Sequence, residues 1–241
     1  MNFVEYSSPR SGRPTSPTTP TVFVVDDDVS VRESLELLIR SAGWQPITIA
    51  SARDFLFHPQ VFALSCLILD VGLPDINGLE LQQQLAERYH PPIIFLTGEG
   101  DIPTSVRAIK AGALDFLTKP FSPQQLVGLV RAALAQDCER RTKQSELDSL
   151  RRRFGMLTPR EREVLPLVVS GLLNKQAAAH LGISEITLQI HRTNVMRKMG
   201  ARSLTDLVRM ADALQIPLTH VRRQRRPSVR FGLPTADLGL A

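Results

Sequence analysis

The run Cys66-Leu67-Ile68-Leu69-Asp70 constrains the fold more than any other stretch of the chain. Consecutive apolar residues without alternation suit a strand covered on both faces, as in the middle of a parallel sheet. An acid directly after such a run sits at the strand's carboxyl edge, where open α/β sheets carry their chemistry. The turn-rich Gly72-Leu73-Pro74-Asp75-Ile76-Asn77-Gly78 that follows puts this acid at the mouth of a loop and outside the core. Taken alone, the pattern fits equally well a strand that stops at a solvated Asp. Three further strand ends weigh against that reading.

Val22-Phe23-Val24-Val25 is a second buried run, ending in Asp26-Asp27-Asp28. Val31, Leu35, Leu38 and Ile39 then repeat at helical spacing, with Gly43 as the C′ residue. A strand over 44–50 and a helix capped by Ser51 through 56 precede the Asp70 strand. After it come a helix over about 79–88 and the strand Ile93-Ile94-Phe95-Leu96-Thr97, with the loop Gly98-Glu99-Gly100-Asp101. A helix over about 104–111 stops at Gly112, and a strand over 114–118 ends in Lys119-Pro120. Ser122-Pro123 offers an N-cap followed by an N1 proline. Five strands alternating with five helices predict an α/β fold, a doubly wound five-stranded parallel sheet. No Gly-rich phosphate loop follows the first strand, which argues against nucleotide binding.

Beyond about residue 135 the chain turns polar, with Leu147, Leu150 and Phe154 as weak helical anchors, and predicts an extended helix and linker. Thr158-Pro159-Arg160-Glu161 is a capping-box pattern with proline at the first helical position. Leu165, Val168 and Val169 form the stripe of that helix, and Gly171 ends it. Asn174 is expected to cap a second helix through 181, and Gly182-Ile183 makes a tight turn. Ser184 caps a third helix to about 199, with Leu188, His191, Val195 and Met199 on its inner stripe. Ser203 opens a fourth, whose stripe is Leu204, Leu207, Val208 and Ala211. Four short helices, two joined by a tight Gly turn, predict a second, all-α helix-turn-helix domain.

The net charge of +5 hides an asymmetry. Residues 21–140 carry 9 Lys/Arg against 15 Asp/Glu, whereas residues 141–241 carry 18 against 8. An acidic half joined to a basic half suggests a cation-binding module carried by a polyanion-binding one. The apolar runs fall short of a membrane span and the N-terminus lacks the apolar core of a signal peptide, which predicts a cytoplasmic protein without a membrane partner. Cys66 and Cys138 lack metal-ligand spacing and read as free thiols. The expected organisation is a disordered tail over 1–20, an α/β domain over 21–138, a helical linker over 139–155, a helix-turn-helix domain over 156–217 and a basic, flexible tail over 218–241. That last tail holds Arg222-Arg223-Gln224-Arg225-Arg226 and Arg230, a run that reads as solvated, with non-specific phosphate contact as its functional alternative.

In a doubly wound sheet, Asp26 and Asp27, Asp70, Thr97 and Lys119 stand on strand ends that can share one crevice. Three carboxylates there repel one another unless they share a cation, and hard oxygen ligands beside water suit Mg²⁺ better than zinc. A hydroxyl and an ammonium are what an incoming phosphoryl group needs for its remaining oxygens. On these residues, 21 to about 140 resemble the receiver domain of two-component response regulators. The resemblance implies that Asp70 is the phosphoacceptor, taking its group from a histidine kinase. It implies Mg²⁺ held by Asp27, Asp70 and the backbone carbonyl of Gly72, with Asp26 orienting the metal's waters. Thr97 would bond the phosphoryl group and Lys119 pair with it, the Lys119-Pro120 bond being cis in the family. Phe116 matches the family's switch aromatic, following Thr97 as it moves; a plain core Phe is the other reading.

On the third helix of the second domain, Gln189, Arg192, Thr193 and Met196 share a face with few acids, with Ile190 beside it, suited to the major groove. Gln189 would read a base edge, Ile190 or Thr193 would touch a thymine methyl, and Arg192 and Lys175 would hold phosphate, with Thr187 near the same end. Leu157-Thr158-Pro159-Arg160-Glu161-Arg162-Glu163-Val164-Leu165, Gly171, Asn174-Lys175, Ile183-Ser184 and His191-Arg192-Thr193-Asn194-Val195-Met196 resemble the LuxR-type helix-turn-helix. Together the two domains are similar to response regulators of the FixJ/NarL type. That resemblance implies a DNA-binding transcriptional regulator in which phosphorylation frees the second domain and promotes dimers. Its partners would be a sensor histidine kinase, double-stranded promoter DNA, a second copy and RNA polymerase. The chain would be no enzyme beyond accepting, and itself releasing, the phosphoryl group.

Two alternatives stand beside this. Asp26-Asp27-Asp28-Val29-Ser30 fits the start of a haloacid-dehalogenase-like phosphatase using Asp26 and Asp28, but no further acidic pair follows Lys119, and Asp70 is left without a role. A regulator that works without phosphate would lack one of the acids, the hydroxyl or the lysine, and all are present.

Overall fold

Strands β1 (Thr21–Val25), β2 (Gln45–Ile49), β3 (Ser65–Asp70), β4 (Ile93–Thr97) and β5 (Asp115–Thr118) pair in parallel in the order β2-β1-β3-β4-β5. The computed structural model describes residues 19–59, 63–86, 91–98 and 102–217. The tail expected over 218–241, the one over 1–20 apart from its last two residues, and part of the loop after Thr97 lie outside these. β1, β3 and β4 are buried throughout, which explains their unbroken apolar runs. Alternate side chains feed two layers. Phe23, Val25, Leu67, Leu69, Ile93 and Phe95 pack with α2 (Ala52–Phe57), α3 (Gly78–Ala86) and α4 (Ile102–Lys110). Val22, Val24, Cys66, Ile68, Ile94 and Leu96 pack with α1 (Val29–Ser41) and α5 (Pro123–Gly155).

The local signals read in the sequence operate. Ser51 Oγ accepts from Asp54 N, and Ser122 Oγ accepts from Gln125 N at 3.2 Å. Gly43 and Gly112 follow α1 and α4 with φ of +85° and +94°. The polar stretch after residue 135 is one continuous helix to Gly155, so the expected linker is the second half of α5. The chain divides into two compact units between Gln144 and Ser145, inside that helix.

A carboxylate anchors α5 at the amino edge of the sheet. Asp137 is fully buried and accepts from Ser65 N (3.0 Å), Arg141 Nε (2.7 Å) and Arg140 Nη2 (2.9 Å). Burial, and after it the charge of Asp137, push the thiol pKa of neighbouring Cys66 up, whereas Cys138 is exposed; both are free.

The second unit contains α6 (Pro159–Val169), α7 (Asn174–Leu181), α8 (Glu185–Met199) and α9 (Leu204–Ala213) around Val164, Leu165, Val168, Ala177, Leu188, Val195, Met199 and Leu207. The Thr158–Glu161 capping box forms. Three expectations are corrected. Leu173, not Asn174, occupies the cap of α7, and Asn174 is its first helical residue. On α9, Leu207 and Ala211 face the core, while Leu204 and Val208 stay 39% and 36% exposed. His191 is half-buried at the edge of the inner stripe, not within it.

Glu161 does more than cap. Its buried carboxylate accepts from Thr158 N (2.8 Å) and from Lys198 Nζ (2.6 Å), joining α6 to α8. Burial works against the charged form, but the hydrogen bonds from Lys198 and Thr158 outweigh it and hold the pKa below the usual Glu value. A depressed folded pKa stabilises the unit above the ordinary Glu range, and that contribution disappears as pH falls through the lowered value. Glu161→Gln is therefore expected to cost about 2 kcal/mol near neutrality and much less in acid, read as urea midpoints against pH. A pH-independent difference would refute this.

Candidate functional site

At the carboxyl edge of the sheet, β1 and β3 are neighbours whose connections leave in opposite directions, the crevice where open α/β sheets bind. Oxygens of Asp26, Asp27 and Asp70 lie here within 4.8 Å of one another. Asp26 is buried: Oδ1 accepts from Asp28 N at 2.9 Å and Oδ2 from Lys119 Nζ at 2.8 Å. Asp27 is exposed, and Asp70, the last residue of β3, keeps 11% of its side chain accessible. Lys119 reaches Asp70 Oδ1 at 3.4 Å, so a single ammonium bridges two of the three acids. It is carried there by the turn after β5, where Lys119 N donates to Thr97 O at 2.7 Å and the Lys119–Pro120 bond is cis.

Burial raises the pKa of Asp70, with Lys119 opposing and the charge of Asp26 reinforcing. Burial works against the Lys119 ammonium, but the hydrogen bond to Asp26 and the charge of Asp70 outweigh it, so its pKa rises. The result is a basic carboxylate beside a firmly charged ammonium, an arrangement suited to nucleophilic attack on an anionic group. The donors around the cluster are hard oxygens without a thiolate or imidazole, which suits Mg²⁺.

Thr97 ends β4, the strand beside Asp70, and is buried. Phe116 is half-buried against Phe95, with ring centroids 6.4 Å apart, on the layer that contains α4. The contact made by Gly72 is through its amide, which donates to Asp70 Oδ2 at 3.1 Å. Asp28 is engaged elsewhere. Its Oδ1 accepts from Ser30 N at 2.8 Å and caps α1, which removes it from the acid pair a phosphatase would need.

Two supports were not visible in the sequence. Arg32 Nη1 donates to the carbonyls of Asp26 (2.7 Å) and Asp27 (2.8 Å), fixing the acidic turn from α1. Gly78 packs so closely behind β3 that a Cβ there would overlap the Asp70 carbonyl. Gly78→Ala is accordingly expected to lower the melting stability by about 2 kcal/mol and to disturb Asp70. A fully stable variant would show that the loop yields freely.

In the second unit, Lys175, Gln189 and Thr193 are exposed, Ile190 is 57% exposed, and Thr187 and Arg192 are half-buried. Thr187 is occupied at the start of α8, its amide donating to Ser184 Oγ at 3.1 Å and its hydroxyl sharing a 2.8 Å hydrogen bond with the same atom. Arg192 Nη1 donates to Asn174 Oδ1 at 2.9 Å, and Asn174 Nδ2 donates to Gln189 Oε1. Sequence reading assigned Asn174 only to a cap; its amide instead links α7 to the outward face of α8.

Residues 22–131 match the response regulator receiver domain and residues 155–211 the luxR family of bacterial regulatory proteins. The chain is 48% identical over 215 residues to nodulation protein W of Bradyrhizobium diazoefficiens, covering 89% of this chain and 95% of that protein. It is 43% identical over 196 residues to the transcriptional regulatory protein FixJ of Azorhizobium caulinodans, covering 81% and 93% respectively. The solved structure of the response regulator StyR superposes with a TM-score of 0.71 at 47% identity, covering 81% of this chain and 99% of that one.

Proposed function

The chain belongs to the DNA-binding transcriptional response regulators that join a receiver domain to a LuxR-type helix-turn-helix domain, and from that membership we propose that Asp70 is the residue through which it is switched. The supporting observation is the cluster of Asp26, Asp27 and Asp70 within 4.8 Å, bridged by Lys119 at the sheet's crevice. A carboxylate oxygen of Asp70 attacks the phosphorus of a phosphohistidine on a sensor histidine kinase. The P–N bond breaks, an acyl phosphate forms on Asp70, and the imidazole leaves. Lys119 pairs with the transferred group and the Thr97 hydroxyl bonds it. Asp27, Asp70 and the Gly72 carbonyl would hold Mg²⁺, with Asp26 orienting its waters; the ion, when bound, offsets negative charge on the phosphoryl oxygens. Later hydrolysis of the acyl phosphate resets the chain.

The receiver is assigned to 21–138, the helical linker to 139–155 and the DNA-binding domain to 156–217. Thr97 draws toward the phosphoryl group and Phe116 follows, remodelling the surface of α4 and β5 on which two copies pair. The paired copies bind two half-sites of promoter DNA in the cytoplasm, with Lys175 and Arg192 toward phosphates and Gln189, Ile190 and Thr193 toward bases. RNA polymerase is the expected further partner, and Thr187 serves the start of α8.

Incubation with acetyl phosphate tests this. With Mg²⁺ the chain should gain one phosphoryl group by intact mass, pair, and bind duplex DNA more tightly; a chelator should suppress all three. Uptake indifferent to the chelator would refute the metal's part. Uptake without any change in pairing or DNA affinity would refute the switch.

A further inference from the structure

The amide chain Arg192–Asn174–Gln189 fixes more than its own geometry. Side-chain amides are ordinarily ambiguous in orientation, because their oxygen and nitrogen ends are nearly alike in shape. Here the ambiguity is removed by a group that has no choice. A guanidinium offers only donors, so the Asn174 atom facing Arg192 Nη1 at 2.9 Å must be the oxygen. The Asn174 nitrogen then faces Gln189, and its partner there must be an acceptor, the Gln189 oxygen. The exposed Gln189 is left with its Nε2, two donors, to present outward.

Glutamine usually reads adenine through a fork that brings oxygen and nitrogen to the base together, accepting from N6 and donating to N7. With its oxygen drawn back toward α7, this glutamine offers donors alone. Beside it, Thr193 Oγ1 donates its proton to the Gln189 backbone carbonyl at 2.9 Å, and Ile190 stands exposed as an apolar contact.

We propose that Asn174 is a positioning residue that locks the Gln189 amide with its NH2 outward, so that the chain reads an acceptor edge, guanine at O6/N7 or thymine at O4, and disfavours adenine. The proposal rests on α8 being the helix that enters the major groove, and it adds which base chemistry that helix selects.

The test is selection from randomised duplex DNA by the full chain, activated with acetyl phosphate and Mg²⁺, using the unaltered protein, Gln189→Ala, Asn174→Asp and Asn174→Ala. The unaltered chain should favour guanine or thymine by about tenfold at one base pair per half-site, and Gln189→Ala should erase preference at that pair alone. Asn174→Asp keeps the shape and the Arg192 contact but accepts where Asn174 donated. Gln189 should then turn over, exposing its oxygen, and preference at that pair should move to cytosine or adenine. The added negative charge should weaken binding to all sequences alike, separating affinity from preference. Asn174→Ala should release the amide, reducing discrimination to about twofold with adenine regained, and it carries the test if the Asp variant fails to fold. A preference unchanged in the folded variants, or adenine favoured by the unaltered chain at the Gln189-dependent pair, overturns the proposal while leaving DNA reading by α8 intact. Loss of all sequence preference from the unaltered chain overturns both.

Discussion

The Asp70→Asn chain is expected to gain no phosphoryl group from acetyl phosphate under conditions in which the unaltered chain gains one. The substitution changes little else. An amide oxygen still accepts from Gly72 N, the side chain has the same volume, and Lys119 keeps its 2.8 Å contact with Asp26. What disappears is the proposed nucleophile: an amide has no charged oxygen to attack phosphorus, so the expected loss is complete and not graded. Intact mass reads uptake directly, and circular dichroism should show an unchanged fold. Phosphoryl uptake that persists in this variant would transfer the nucleophile's role to Asp27, the exposed member of the cluster.

Asp137→Ala is expected to destabilise the first unit by about 3 kcal/mol, seen as a lowered urea midpoint in the full chain. The carboxylate is inaccessible to water, and its removal takes the acceptor from the Ser65 amide at the start of β3 and one ion-pair partner from each of Arg140 and Arg141. Arg140 and Arg141 stay 37% and 24% exposed, so water recovers part of the loss and the lower end of the range for broken buried pairs applies. Asp137→Asn should lose less, since its oxygen can still accept from Ser65. A cost below about 1 kcal/mol for Asp137→Ala would mean that the anchor contributes nothing beyond an ordinary surface pair.

Features written in neighbouring residues were legible beforehand, as was the crevice that sheet topology forces on the strand ends; other side-chain contacts between distant segments were not. The buried strands ending in Asp26, Asp70 and Thr97 announce themselves because a strand covered on both faces has nowhere to place a polar residue until it emerges. The Thr158–Glu161 box is legible because both partners lie in one turn. Asp137, Arg140 and Arg141 at helical spacing look like a surface ion pair, and only Ser65, 72 residues earlier in the chain, makes them an anchor. Asn174 has the residue type of a cap, but the chain enters α7 one residue sooner and frees its amide for α8. The α9 stripe expected from periodicity is wider than the buried one because the helix is covered along one line only, Leu207 and Ala211, and its flanks stay open. Gly78 gives no signal at all, since closeness to the back of β3 is a property of packing.

The contrast between the two sulfur atoms makes the molecule its own reporter. Cys66 is sealed between the sheet and its helices with its thiolate disfavoured, while Cys138 faces solvent on α5, next to the Asp137 anchor. A maleimide fluorophore should therefore attach once per native molecule, at Cys138, and a second time only after unfolding. Anisotropy or energy transfer from that one dye can then test the proposed pairing of two copies in real time, without any engineered cysteine.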